Sequence, residues 1–396
     1  MTVHPAFPVD GAPAPAASAP LTVRVVDPLS LSDELAAAWD ALAAEASEPN
    51  PFVERWCLQS ALHLLDPERQ ARLVLVRDGS AGPVIGVMPL AAATHYGRLP
   101  LRHVTGWAHP NHFLGLPLVR AGFERLFWSI LLGWCDAAPW AKTLVHLPRL
   151  TEDGPLHRAL VDVAQARGGA AETVHREERA LLDSDLSPAA YWEAAVRAKK
   201  RKELRRQANR LAEQGTVAFR RWRAGDALDP WLDAFLDLEA RGWKGQAGSA
   251  LASHGETEAW FRAIVTAAAT AGKLDLRALD LDGRPLAMLV HFLCPPGGFS
   301  FKTAFDEDYA RFSPGVLLQQ ANLDLLGDPR IAWVDSCAAS GHPMIDSVWR
   351  ERRALVWVNV PLSSASDRLR FAALRRVETL WRRWKRPHSL PVQDQP

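Results

Sequence analysis

The sequence predicts an α/β protein made of two like halves, and three observations carry that reading. From Leu21 onward strand-like and helix-like segments alternate, the pattern of a sheet flanked by helices. Two apolar runs around Asp78-Gly79 form a hairpin signal, and the same arrangement returns around Asp282-Gly283. Each hairpin is followed by a helical stretch and then by another strand. A length of 396 residues has room for two cores, and 48% apolar with 23% charged residues suits a chain that folds without metal or disulfide staples.

Residues 5–20 are mostly Pro and Ala with nothing large enough to pack, so 1–20 is read as a disordered leader. The first half, 21–180, holds a strand at 22–26, a helix over 32–46 capped by Ser or Asp, and hairpin strands at 73–77 and 84–90. A helix near 122–135 and a strand at 144–147 follow. A linker, 181–214, contains a helix over 197–210 with eight basic residues against Glu203 alone and a thin stripe of Leu204, Ala208 and Leu211. The second half, 215–362, starts a helix at Asp229-Pro230 and stops it at Gly242. Strands at 274–281, 285–293 and 299–305, a helix over 314–326 and a strand at 331–335 complete it. Simple pairing across a four-residue turn, 295–298, sets Cys294 opposite Phe299 and His291 opposite Lys302. The tail, 363–396, carries a second basic run over 368–386, with eight basic residues against Glu378 and with Trp381 and Trp384 interleaved.

Net charge is +1, so no global attraction to nucleic acid is expected and DNA is not an expected partner. Local contact with RNA or a membrane surface through 197–210 and 368–386 is one reading of the basic runs; two solvated helix faces are the other. The four cysteines, Cys57, Cys135, Cys294 and Cys337, are far apart with no C-x-x-C, which fits a reducing compartment. The longest apolar run, 126–134, is about half of the roughly 18 residues a membrane helix needs. The N-terminus has no basic region followed by an apolar one, and a cytoplasmic location is expected.

Several residues suit chemistry. Leu232, Phe235, Leu236 and Glu239 share one helix face, so Glu239 ends an apolar stripe and needs either a salt-bridge partner or a role in a site. Trp243 and Lys244 follow at the helix exit, where a ligand can stack. On the strand 299–305, Lys302 shares a face with Ser300 and Ala304; it either holds an anionic group and keeps His291 neutral by repulsion, or snorkels as a structural lysine. Ser313, Pro314, Gly315 and Val316 open a helix after a strand, an arrangement whose free amides suit a pyrophosphate, with Arg311 beside it; plain helix punctuation reads equally. Asp306 and Asp335 stand at strand ends flanking that helix. His342, seven residues after Asp335, is the candidate general base, with Asp346 and Trp349 beyond it. A Cys337, His342, Asp346 nucleophile set is the alternative, without a supporting elbow motif. His109 and His112, in H-P-N-H, lack a third ligand and read as a loop; no metal is expected.

The strings K-K-R-K-E-L-R-R, E-A-R-G-W-K (239–244), L-D-G-R-P-L-A (281–287) and F-K-T-A-F-D-E-D-Y-A-R-F-S-P-G-V-L-L (301–318) resemble the GNAT superfamily of N-acyltransferases. Within it the likeness is to the CelD-like acyltransferases associated with cellulose and exopolysaccharide biosynthesis, related to the Fem aminoacyl transferases. P-F-V-E-R-W (51–56) and G-V-M-P-L (86–90) extend it to the first half. The resemblance implies tandem GNAT-like domains, each a mixed, mostly antiparallel sheet flanked by helices, with acyl-CoA as co-substrate, no tightly bound cofactor and catalysis in the second domain. Two departures stand out: the phosphate loop R/Q-x-x-G-x-G/A is replaced by the shorter 311–315 with one Gly, and H-P-M-I-D stands before Trp349 where many relatives have a Tyr-Lys pair. The first half has no Ser-Pro-Gly at its matching helix, so no donor site is expected there. The function expected is acyl transfer from acyl-CoA, or another phosphopantetheine thioester, to an amine or hydroxyl of a sugar or envelope precursor. An aminoacyl-tRNA-dependent ligase and a catalytically silent adaptor of polysaccharide assembly are the alternatives. Glu239, Lys302, Asp306 and Asp335 in apolar settings weigh against the adaptor.

Overall fold

The computed structural model describes residues 21–79 and 82–385. The leader expected over 1–20 lies outside them, as does Arg386 of the second basic run. In the first half the chain forms β1 (Leu21–Val26), α1 (Asp33–Ala44), α2 (Arg55–Leu64), β2 (Arg72–Asp78), β3 (Val84–Ala93), β4 (His103–Gly106), β5 (Leu118–Val119), α3 (Glu124–Ala137), β6 (Leu144–Thr151), α4 (Pro155–Ala166) and β7 (Glu172–Leu182). Helices α5 (Pro188–Ala195) and α6 (Ala198–Ala212) lead to β8 (Val217–Arg221), α7 (Asp229–Arg241), α8 (Trp243–Gln246), α9 (Gly255–Thr270), β9 (Leu274–Leu281), β10 (Arg284–Cys294) and β11 (Gly297–Phe305). The chain ends in α10 (Pro314–Ala321), β12 (Trp333–Asp335), β13 (Glu351–Pro361) and α11 (Ala365–Lys385).

One sheet joins everything, in the order β1-β2-β3-β4-β6-β13-β7-β12-β11-β10-β9-β8, with β5 paired to β3. Read inward from either edge, five strands follow one another in chain order, and the sixth comes from the other half. Strand β13 lies beside β6 of the first half, and β7 lies beside β12 of the second. The duplication expected from the two Asp-Gly hairpins is therefore matched by identical strand order, with the last strands exchanged. The pairs β4–β6 and β11–β12 are parallel, and the other pairs along this path are antiparallel.

The exchange gives the halves a shared interior. A single apolar cluster runs from Phe52, Val74 and Trp128 of the first half to Phe235, Trp260, Phe292 and Phe301 of the second. Rings meet across the boundary, Trp56 with Phe292 at 5.0 Å and His109 with Trp260 at 4.7 Å between centroids. Helix α6, placed in a linker on sequence grounds, packs Leu204 and Leu211 onto Leu279, Leu281 and Leu286 of the second half.

Local signals position most elements. Ser32 caps α1 by accepting the Leu35 amide. Gly242 closes α7 as expected. The helix expected over 314–326 is α-helical only to Ala321 and continues as a 3₁₀ run, Asn322–Gly327. The hairpin register differs from the simple expectation. The turn holds only Pro295 and Pro296, and Gly297 and Gly298 belong to β11, so His291 falls opposite Ser300; a bulge at Val290/His291 then sets Lys302 opposite Val290. Gly297 belongs in the strand because the Trp333 ring of β12 lies on it: a Cβ there would stand 2.4 Å from that ring.

Candidate functional site

Where the halves meet, β11 presents Lys302 to the first half. Its Nζ donates to Asn111 Oδ1 at 2.6 Å and lies 5.7 Å from the ring centroids of Phe113 and Phe301. Asn111 and Phe113 belong to the segment between β4 and β5, the H-P-N-H loop. That loop is fastened from below: the Asn111 amide donates to His109 Nδ1, Arg149 donates to the His112 carbonyl, and Arg179 donates to the Phe113 carbonyl. Burial keeps both histidines neutral, with His109 pushed well below its usual value and His112 down to about 4. Burial also lowers the Lys302 amine to about 8, with the Lys244 ammonium adding to the effect and the Glu239 carboxylate opposing it.

Glu239 and Lys244 form the other wall. Glu239 is buried at the end of the α7 stripe, accepts Lys244 Nζ on Oε1 at 2.7 Å and the Leu251 amide on Oε2 at 2.8 Å. The acid is salt-bridged, but to the lysine five residues on and not to a neighbouring arginine as expected. Trp243 is 58% exposed, and its amide donates to Glu307 Oε1 at 2.7 Å. Between α7–α8 and β11 a cavity of about 30 Å³, lined by Glu239, Trp243, Lys244, Thr303 and Phe305, has room for one water-sized group.

The proposed base and its carboxylates do not come together. Asp335 is fully buried and accepts Arg179 Nη2 at 2.6 Å and Arg353 Nη1 at 2.9 Å, as well as the Cys337 amide at 2.9 Å. Burial alone would raise its carboxyl, but the two guanidiniums hold it below the usual carboxylate range. Since Arg179 lies on β7 and Arg353 on β13, Asp335 clasps the exchanged strands and has no lone pair aimed at a substrate. Asp306 ion-pairs with Arg284 and caps the turn at Asp308. His342 makes no side-chain hydrogen bond or ion pair with Asp335 or Asp306 among the described residues, and its Nδ1 has no partner. Burial, with the Asp335 charge, pushes the Cys337 thiol far up, so it is no nucleophile.

Other expected contacts fall elsewhere. Trp349 is fully buried in a core with Tyr191, Leu293 and Val334, where its Nε1 finds no acceptor among the described residues. Asp346 lies 3.8 Å from Arg352. His291 is fully buried beside Asp275 and Arg277, and burial lowers it to about 4; the two-residue turn pairs it with Ser300, not with Lys302. At α10 the Ser313 and Val316 amides donate to the Ala310 and Ser313 carbonyls, and a Cβ on Gly315 would stand 2.7 Å from Met344 Sδ. Gly315 makes room for Met344. Arg311 is exposed, its guanidinium 4.8 Å from the Phe312 ring centroid. Glu239, Trp243 and Lys244 thus line one small cavity, and Lys302, outside its lining, feels the charges of Glu239 and Lys244. Sequence reading missed Asn111 and Phe113; an Asn between two histidines was the one signal.

Among the described residues no group of three or more His, Cys, Asp or Glu is placed to hold a metal, and no helix is long and apolar enough to cross a membrane.

Residues 198–340 match the acetyltransferase (GNAT) domain family, which supports an acyltransferase. The structure is similar to that of FemX, at 11% identity and a TM-score of 0.55, covering 86% of this chain and 98% of that one. It is also similar to a conserved protein of unknown function from Bacteroides thetaiotaomicron, at 10% identity and a TM-score of 0.52, covering 86% and 99%. A third similar structure is a tandem GNAT protein from the clavulanic acid biosynthesis pathway, at 18% identity and a TM-score of 0.43, covering 87% and 100%. The first two likenesses show a shared fold across both halves. No curated protein sequence matches the chain.

Proposed function

We propose that this protein transfers an acyl group from a thioester donor, acyl-CoA or a phosphopantetheine carrier, to an amine or hydroxyl of a sugar or cell-envelope precursor, and that the reaction runs beside Lys302. The observation that carries the reading is a partly buried lysine amine, held by Asn111 from the other half, inside the region that matches the acetyltransferase domain. An amine lowered to about 8 is still mostly protonated at neutral pH. It can neutralise the oxyanion that forms when the acceptor attacks the thioester carbonyl. Its value lies close to that of a thiol, about 8.5, so passing its proton to the departing thiolate is nearly balanced. Lys302 then regains a proton from solvent, and the acceptor's proton leaves to solvent. Glu239, tied to Lys244 and to the Leu251 amide, keeps the neighbouring wall in place, and Trp243 offers an exposed face to the acceptor.

Because the Ser313 and Val316 amides already donate to backbone carbonyls, the proposal takes the donor's phosphates to a different face. The exposed cations of α6, Lys199, Lys202, Arg205 and Arg210, supply a phosphate-binding face on the second half. The same face supports a second reading, an aminoacyl-tRNA donor. Thermal unfolding in the presence of acetyl-CoA, longer acyl-CoAs or aminoacyl-tRNA separates the two, because a ligand at about 100 times its dissociation constant adds roughly 2.7 kcal/mol of stability. Stabilisation by an acyl-CoA, with thiol release on adding amino sugars, is the expected result. Stabilisation by aminoacyl-tRNA alone, lost steeply with salt, would transfer the proposal to the ligase.

A further inference from the structure

Helix α11 leaves the body of the protein with two apolar faces and only one of them covered. Phe371 and Leu374 are buried against Leu144, Tyr96, Leu99 and Leu101, which anchors the helix to the first half. Roughly a third of a turn round the axis, Leu369, Ala373 and Val377 follow one another at i, i+4 and i+8 on the outside. Leu369 is 73% exposed, the highest value for any large apolar residue among those described, and Val377 is 45% exposed. Such a stripe loses free energy in water at every residue it shows.

Cations surround it. Arg376 is exposed next to Val377 and has no ion-pair partner among the described residues. Arg368 spends its donors on the Arg167 and Gly168 carbonyls, so its charge stays unpaired. At the start of the helix a groove of about 650 Å³ is lined by Arg102, Lys142, Ser366 and Arg370, together with Asp136 and Asp367. Both carboxylates are already used. Asp367 accepts the Thr143 amide at 2.9 Å and the Ser364 hydroxyl at 2.6 Å, and Asp136 pairs with Arg167 and accepts the Ser363 amide at 2.8 Å. Arg102 and Lys142 make no ion pair among the described residues.

We propose that α11 and this groove form a docking face for an anionic phospholipid bilayer. The helix lies in the interface plane, with Leu369 and Val377 entering the boundary between headgroups and acyl chains. Arg376 meets the negative surface, and a lipid phosphate sits in the groove between Arg102 and Lys142. Charge complementarity selects this occupant: an exposed apolar stripe bordered by unpaired arginines matches a surface that is apolar inside and anionic outside. The face shares no residue with the acyl-transfer reading, so the inference stands independently of it.

The test is co-sedimentation of the full chain with vesicles of phosphatidylglycerol and phosphatidylcholine, compared with vesicles of phosphatidylcholine alone. Binding is expected only to the anionic vesicles, and raising the salt to about 1 M, where the screening length falls to roughly 3 Å, should release the protein. The double variant Leu369→Ser, Val377→Ser, changed at exposed positions, should bind at least about tenfold more weakly. Arg376→Glu should weaken binding by roughly fivefold or more. An absence of sedimentation with anionic vesicles would overturn the proposal, as would equal binding by wild type and the double variant. If the wild type is a dimer by light scattering and the double variant a monomer, the stripe belongs to a second copy of the chain; retention on tRNA but not on vesicles would give the face to RNA. Either result refutes the bilayer.

Discussion

Replacing Asp335 by Asn tests whether this carboxylate is a clasp or a catalyst. The change keeps size and shape and allows the Cys337 amide its acceptor, but it removes the charge that pairs Arg179 and Arg353, which are 2% and 8% exposed. Breaking a buried ion pair by removing one partner costs about 3–5 kcal/mol, because the remaining charge is left without compensation. Here two guanidiniums lose their partner, although Arg179 keeps the Phe113 carbonyl and Arg353 keeps Thr151 and the Trp333 ring, so the same range is expected and not twice it. With an unfolding entropy of about 2.1 cal/mol/K per residue over roughly 360 residues, that loss lowers the melting temperature by about 4–7 °C if both halves unfold together. Differential scanning calorimetry reads it directly. The pH dependence has a definite sign. The folded carboxyl lies below its unfolded value of about 3.9, so its contribution is present above that pH and fades as pH falls through the folded value. The gap between wild type and variant should therefore close in acid. A variant with wild-type melting and no turnover would refute the clasp and return Asp335 to the chemistry.

Three further outcomes follow from the same geometry. Lys302 is held at about 8 when folded against about 10.4 when unfolded, so between these values the unfolded chain binds more protons and stability rises with pH; Lys302→Met should flatten that slope in denaturant titrations. Gly315→Ala places a methyl 2.7 Å from Met344 Sδ, and although the thioether can shift, about 1–3 kcal/mol should be lost in chemical unfolding, with no selective effect on donor binding. His342→Ala should leave turnover per folded molecule within about threefold of wild type, against the roughly 10²–10⁴ a positioned acid–base group contributes, as steady-state rates will show once an acceptor is known.

Much of the fold was legible because its signals are local. The Asp-Gly hairpins, the Pro and Gly helix boundaries and the apolar stripes of α6 and α7 each declare themselves within a dozen residues. The exchange of β7 and β13 was not legible, because each strand reads the same whichever half receives it and the choice depends on contacts far apart in the chain. The hairpin register likewise escaped pattern reading: a turn of two residues or of four leaves the composition of both strands unchanged, yet it decides that His291 faces Ser300 and not Lys302. The candidate site was legible only in part. Glu239, Trp243, Lys244 and Lys302 stood out as polar or aromatic residues in apolar settings. Asp306, Asp335 and His342 stood out for the same reason, but a buried acid beside arginines and one beside a substrate look alike until the partners are known. Asn111 lies 191 positions from Lys302 and gave no sign of pairing with it.

The central claim is that acyl transfer depends on the Lys302 amine, and single-turnover acyl transfer by wild type and Lys302→Met, with donor affinity measured in parallel, tests it most directly. A charged group that stabilises the developing oxyanion contributes about 10²–10³ to the rate, so Lys302→Met should be slower by that factor while donor affinity stays close to wild type. Lys302→Arg should recover part of the rate at neutral pH and lose the rate's decline above about pH 8, since a guanidinium remains charged there. A Lys302→Met protein that is folded, binds donor and turns over within about threefold of wild type would contradict the account, since so small a change is below what any such group contributes.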